Sequence, residues 1–139
     1  MRTPNAEQKK AIEHHGGVLL SAGAGSGKTF VLVEHVIYLA GEKLKEFADK
    51  SPEEKGKLLK NEFSRYVLMT YTKKAAGELS VRLKARVEEL VEEGNDPEGW
   101  SLISRCLDSM YVGTIHGFCF RLLGQGFFPN IHADIKLID

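Results

Sequence analysis

Residues 21–30 read "SAGAGSGKTF" and directly follow the apolar residues 18–20, "VLL". From Ala22 to Thr29 the stretch differs only at Ala22 from the pattern G-x-x-x-x-G-K-[ST], which forms a phosphate-binding loop between a strand and a helix. A small residue is compatible with that first position, because the loop requires close approach of the backbone. Since strand, loop and helix follow in the required order, the stretch predicts a phosphate-binding loop rather than a glycine-rich hairpin or linker.

Each residue type in this loop has a mechanical task. Glycines adopt backbone angles that let successive N–H groups surround the α- and β-phosphates at the positive end of the following helix. We expect Lys28 to reach the β- and γ-phosphates and the Thr29 hydroxyl to bind magnesium, so both are assigned catalytic roles with ATP and magnesium as cofactors. The predicted nucleotide-binding loop comprises Ala22, Gly23, Ala24, Gly25, Ser26, Gly27, Lys28 and Thr29.

Composition is typical of one globular domain, since 42% of the 139 residues are hydrophobic. The formal net charge is zero, so any nucleic-acid binding must come from local patches. Cys106 and Cys119 form no C-x-x-C, and the chain starts without a charged and then apolar leader, which predicts reduced thiols in a cytoplasmic protein. No apolar run is long enough to cross a membrane, and the histidines lack metal-site spacings, which favours surface or packing roles.

Strand and helix patterns alternate along the chain. Asn5 and Gln8 have the spacing of a capping box at the start of a first helix, which we expect to end at Gly16 and Gly17. We predict strands within residues 18–21, 65–72, 110–115 and 133–139, and helices within residues 29–40, 73–93, 98–107 and 116–125. This order predicts an α/β fold of the P-loop type, in which helices flank a parallel sheet.

Residues 41–63 interrupt this alternation with mixed lysine and glutamate residues. We interpret the segment as a charged helical insertion at the edge of the domain, made of two exposed amphipathic helices joined at Pro52. Because acidic residues lie among the lysines, a solvated face is favoured over a DNA-binding one.

Four motifs together resemble one known family. The stretches "TPNAEQKKAI", "AGAGSGKT", "TYTKKAAGEL" and "GTIHGFCFRLL" are similar to the amino-terminal part of the first RecA-like lobe of superfamily 1 DNA helicases, the UvrD/Rep/RecB/AddA group. The resemblance covers residues 1–139 apart from the insertion. It implies a partial RecA-like domain of an ATP-dependent DNA helicase that moves 3′ to 5′ on single strands in repair or recombination.

The resemblance also implies roles for individual residues. Gln8 matches the glutamine that recognises adenine, a role compatible with helix capping. Tyr71 would stack on a base, although a lone tyrosine after a strand also fits simple packing, and His116 also fits a capping or core histidine. Cys119 is interpreted as a packing position. The implied DNA-binding residues are Tyr71, Thr72, Lys74, Thr114 and His116.

The chain lacks part of what ATP hydrolysis needs. No strand pattern ends in Asp-Glu, and no arginine can be assigned to the γ-phosphate. We therefore expect a fragment that is inactive alone, from a parent that acts on single-stranded DNA and duplex junctions, with helicase-nuclease subunits as candidate partners. The alternatives are a small P-loop phosphotransferase, such as a nucleotide kinase, and a nucleotide-binding module without catalysis.

Overall fold

The computed structural model describes residues 3–14 and 27–125. Within these ranges the chain forms six α-helices, two strands and one short 3-10 turn at Leu107–Ser109. In chain order they are α1 Ala6–Ile12, α2 Lys28–Glu46, α3 Pro52–Phe63, β1 Val67–Thr70, α4 Lys73–Glu93, α5 Pro97–Cys106, β2 Tyr111–Thr114 and α6 Ile115–Gly124. The strands predicted within residues 18–21 and 133–139 lie outside the described residues, as does the predicted end of the first helix at Gly16 and Gly17.

Local sequence explains where the helices begin. Side chains of short polar residues accept hydrogen bonds from the N–H groups of the first turn, which would otherwise lack partners. Ser51 and Glu54 form a full capping box around Pro52, the first residue of α3. The N-cap side chains of α1, α4, α5 and α6 are those of Asn5, Thr72, Asp96 and Thr114.

The two described strands are parallel neighbours. Their register pairs Val67 with Tyr111 and Thr70 with Thr114, so both strands end at the same edge of the sheet. α4 and α5 lie between them in sequence, and α4 contacts both strands. A parallel pair joined through helices, in a chain rich in helix, confirms the predicted α/β class.

The core lies between α2, α3, α4 and α5. Its largest fully buried side chains are those of Phe63, Leu59, Leu79, Leu83, Ile103 and Val87. Glu34 of α2 accepts a 2.8 Å hydrogen bond from Arg86 of α4, and both side chains are less than one fifth exposed. A charged bridge at the edge of the core therefore joins these two helices.

The charged segment 41–63 departs from its predicted exposure. Its first part is the continuation of α2 as far as Glu46, not a separate helix. Its second part is α3, in which Leu59 and Phe63 are fully buried and the helix contacts α5. Of the two exposed amphipathic helices predicted here, the first is not a separate helix and the second is less exposed than predicted, because lysine and glutamate cover only the outer face of α3 and its inner face completes the core.

The two cysteines differ in their surroundings. Cys106 is buried between α5 and α3, with its sulfur 3.9 Å from the Gly56 carbonyl oxygen, and burial raises the pKa of its thiol. Cys119 is exposed, so its predicted packing role is wrong within the part of the chain described. Among residues 3–14 and 27–125, no helix has the length and hydropathy to span a membrane.

Candidate nucleotide and DNA site

The described part of the predicted phosphate loop is its last turn, Gly27 to Thr29. Ala22, Gly23, Ala24, Gly25 and Ser26 lie outside the described residues. Gly27 has φ 88° and ψ 22°, in the left-handed region that favours glycine, and it caps α2. The next two residues open the helix, with the Lys28 side chain exposed and Thr29 half-buried.

The N-terminus of α2 differs from those of the other described α-helices. It carries no side-chain cap and no acidic residue in its first turn, whereas a side chain caps each of the other five. The positive end of a 19-residue helix is thus left without a neutralising group among the described residues. With Lys28 and the Thr29 hydroxyl beside it, this end fits a polyphosphate and its metal ion.

Gln8 takes part in a capping box while keeping donors for a ligand. Its side-chain Oε1 accepts a 3.0 Å hydrogen bond from the Asn5 N–H, and its own backbone N–H donates to Asn5 Oδ1 at 2.8 Å. The amide nitrogen and one lone pair of Oε1 are not used by this box. Capping and adenine recognition are therefore chemically compatible at Gln8, as predicted.

One side chain ties the helix of Gln8 to the helix of Lys28. His35 Nδ1 lies 2.7 Å from the Ile12 carbonyl oxygen across a sequence separation of 23 residues. A carbonyl only accepts, so Nδ1 must carry the proton and donate. Ile12 itself is buried at the contact of α1 with α2. No sequence pattern indicated this link, because it joins two elements that are distant in the chain.

A groove of about 310 Å³ runs between α2 and α4, beginning at Phe30 next to Thr29. Arg86 lines it and forms ion pairs with Glu34 and Glu89 at 2.8 and 3.0 Å. These carboxylates neutralise Arg86 and leave Arg82 as the other cation of the groove, which weakens the case for a phosphate there. The uncapped end of α2 remains the better candidate.

The predicted DNA-binding residues lie at one edge of the sheet. Since Thr70 pairs with Thr114, Tyr71 and Thr72 follow one strand end beside the residues that follow the other. Tyr71 is 90% exposed, and His116 is also exposed. Among the described residues neither side chain is buried, so these residues give no support to a packing role for Tyr71 or a core role for His116.

Two threonines predicted to bind DNA, Thr72 and Thr114, cap helices at this edge. The Thr72 hydroxyl accepts from the Ala75 N–H at 3.1 Å, and the Thr114 hydroxyl accepts from the Gly117 N–H at 3.0 Å. Each hydroxyl keeps its own hydrogen, which can be donated to a phosphate oxygen. The N-termini of α4 and α6 therefore lie side by side at this edge of the sheet. Lys74 is exposed in the first turn of α4, and its charge together with the positive helix ends favours binding of an anion at this edge.

One residue at this edge was missed by sequence reasoning. The Tyr111 hydroxyl donates a 3.0 Å hydrogen bond to the Thr114 carbonyl oxygen. A tyrosine in the first position of a short strand is ordinarily interpreted as a β-forming residue, and nothing in the pattern shows that its ring runs along the strand.

The sequence is similar to those of known proteins. The family profile described as UvrD/REP helicase N-terminal domain matches residues 4–137. The chain is 35% identical over 127 residues to an ATP-dependent helicase/nuclease subunit of Carboxydothermus hydrogenoformans, covering 88% of this chain and 9% of that protein. It is 32% identical over 137 residues to the exonuclease/helicase subunit RexA of Lactococcus lactis, covering 95% of this chain and 10% of that protein. The chain thus spans about a tenth of the length of these relatives.

Proposed function

Because the chain belongs to the UvrD/REP helicase N-terminal domain family, we propose that it is the nucleotide-binding part of an ATP-dependent DNA helicase or translocase. The observation that carries this proposal is the uncapped N-terminus of α2, with Gly27, Lys28 and Thr29 in the order of a phosphate-binding loop. The family match also disfavours the alternative of a small phosphotransferase.

The residues divide the work of nucleotide binding. Lys28 would neutralise charge on the β- and γ-phosphates, the Thr29 hydroxyl would bind magnesium, and Gln8 would contact adenine. Bound ATP would supply the phosphoanhydride bond whose hydrolysis drives movement, and magnesium would offset the charge of its phosphates. The groups expected to complete hydrolysis, an Asp-Glu pair and arginines, would come from the remaining nine tenths of a protein as long as the relatives.

The sheet edge with Tyr71, Thr72 and Lys74 on one side and Thr114 and His116 on the other would hold single-stranded DNA. An exposed aromatic ring stacks on any base, which suits a protein that moves along any sequence. We further propose 3′ to 5′ movement and action at duplex junctions, both of which rest on the resemblance of the motifs to this helicase group. We also propose assembly with a nuclease-bearing partner, since the relatives are named helicase/nuclease subunits. We also propose that the protein acts in the cytoplasm, where the DNA of bacteria such as these relatives lies.

The direct test is ATP hydrolysis by the full-length protein with and without single-stranded DNA. We expect turnover that depends on magnesium and is stimulated by the DNA. Turnover that is indifferent to DNA but transfers phosphate to a small acceptor would instead show a phosphotransferase.

Tyr71→Ala is expected to weaken binding of single-stranded DNA by roughly 1–3 kcal/mol, because one base loses its stacking partner. The loss should be similar for poly-T and mixed-sequence strands, as measured by fluorescence anisotropy. Tyr71→Phe is the matched control, since it keeps the ring, and it should bind like wild type.

The same titrations at several salt concentrations separate stacking from phosphate contacts. Tyr71→Ala should leave the slope of log affinity against log salt unchanged, whereas Lys74→Ala should reduce it. Unchanged affinity in Tyr71→Ala would show that this side chain does not contact DNA.

His35→Ala is expected to raise the KM for ATP by about 2- to 10-fold with little change in kcat, because the lost hydrogen bond to Ile12 frees the helix that carries Gln8. The KM for GTP should change much less, since Gln8 is proposed to recognise adenine. His35→Asn keeps a donor near the position of Nδ1 and should restore the preference for ATP. An equal rise in the KM for ATP and for GTP would show general destabilisation of the protein instead.

A further inference from the structure

The side chain of Tyr111 runs along β2 toward Thr114, where the strand ends and α6 begins. Its hydroxyl donates to the Thr114 carbonyl oxygen at 3.0 Å, three residues ahead. Its ring lies 5.3 Å from the Phe118 ring, and the Arg121 guanidinium carbon lies 5.6 Å from its centroid. Two residues of α6 therefore contact the Tyr111 ring, and Thr114 holds its hydroxyl.

Thr114 is held through both of its polar groups. The carbonyl oxygen accepts from Tyr111, and the side-chain hydroxyl accepts from the Gly117 N–H at 3.0 Å. Pairing with Thr70 in the sheet also sets the position of the Thr114 backbone. The Tyr111 hydroxyl is thus one of three contacts that hold Thr114, the residue two positions before His116.

Glycine at position 117 is explained by the same hydroxyl. A Cβ atom added there would lie 2.7 Å from the Tyr111 oxygen and 3.1 Å from the Thr114 Oγ1. The first distance is too short for a carbon next to an oxygen, so the tyrosine hydroxyl would have to shift from its position beside the Thr114 carbonyl. A Cβ atom at Gly113 would meet the Tyr111 oxygen at 2.5 Å and also the ring carbon Cζ at 2.8 Å.

We propose that Tyr111 is a positioning residue for DNA binding: its hydroxyl fixes the turn that presents Thr114 and His116, and it requires glycine at position 117. The part of this inference that concerns DNA rests on the proposed function. The coupling between positions 111 and 117 rests on the geometry alone.

The test is a double-mutant cycle in the full-length protein. Tyr111→Phe removes only the hydroxyl and is expected to weaken single-stranded DNA binding by about 2- to 10-fold. Gly117→Ala should weaken binding by a similar factor, because its methyl group displaces the same hydroxyl. The double variant should bind no more weakly than Tyr111→Phe, since both changes remove one hydrogen bond.

Gly113→Ala is the matched control. Its methyl group would meet the ring as well as the hydroxyl, so Tyr111→Phe should not rescue it. The urea midpoint gives a readout that needs no DNA. Gly117→Ala should lower this midpoint in wild type but leave it unchanged or raise it in the Tyr111→Phe background, because alanine favours a helix over glycine.

ATP affinity without DNA separates positioning from general damage, and Tyr111→Phe should leave it unchanged. Additive losses in the cycle, or an equal fall of the urea midpoint for Gly117→Ala in both backgrounds, would overturn the coupling. If wild type itself bound no single-stranded DNA while the midpoints still showed the coupling, the proposed function would fail and the geometric link would stand.

Discussion

Lys28→Ala in the full-length protein should lower ATP turnover by at least ~10²-fold, because it removes a fixed cation from the charge that develops on the transferred phosphoryl group. The fold should be preserved. Lys28 is exposed at the first position of α2 and forms no ion pair with any residue that the structure describes. Steady-state hydrolysis assays and circular dichroism spectra of the two proteins, recorded side by side, measure both expectations.

Lys45→Ala is the matched control on the same helix. Lys45 is a largely exposed lysine at the other end of α2, where it pairs with Glu42. An exposed pair of this kind contributes little to stability, so turnover should stay near the wild-type level. If Lys28→Ala also retained near-normal turnover, the phosphate loop would have to be assigned elsewhere.

Phe63→Ala should lower the free energy of unfolding by about 3–5 kcal/mol, the range typical for truncating a buried phenylalanine. Phe63 ends α3, has no exposed surface, and lies with its ring centroid 5.0 Å from that of Tyr66. The truncation removes that ring contact and leaves a cavity where α3 meets the core. Urea denaturation of wild type and variant measures the difference.

Leu58→Ala supplies the control for Phe63, because Leu58 lies on the same helix but is 36% exposed. Leu58→Ala should lower the free energy of unfolding clearly less than Phe63→Ala, since part of the Leu58 side chain already contacts water in the folded protein. If both variants lowered the free energy of unfolding by the same small amount, α3 would contribute little to the core and would be an insertion at the edge of the domain, as its charge pattern first indicated.

The sequence was a good guide wherever local chemistry sets the structure. Ser51, Pro52 and Glu54 mark the start of α3 through their own side chains, and Asn5 with Gln8 does the same for α1. Both described strands, Val67–Thr70 and Tyr111–Thr114, lie within the predicted ranges 65–72 and 110–115, where short β-forming runs precede helix patterns. Family motifs assigned residues that follow each strand to DNA binding before the pairing of the strands was known.

What could not be predicted depends on contacts between distant residues. The burial of Leu59 and Phe63 was hidden, because charged residues dominate the composition of α3 while a few apolar residues decide its inner face. The His35 link to Ile12 joins residues 23 apart. The path of the Tyr111 ring over two glycines depends on a rotamer that no periodicity encodes.

The bridge between Glu34 and Arg86 has a mechanical consequence. It joins the helix that starts at Lys28 to the helix that starts just after Thr72. Pulling the two apart would take Arg86 away from the poorly hydrated Glu34 carboxylate and leave the arginine only its pair with Glu89 on its own helix. The pair therefore couples the positions of the two helices where they meet. We expect a displacement of the helix that starts at Lys28 to be accompanied by a displacement of the helix that starts after Thr72.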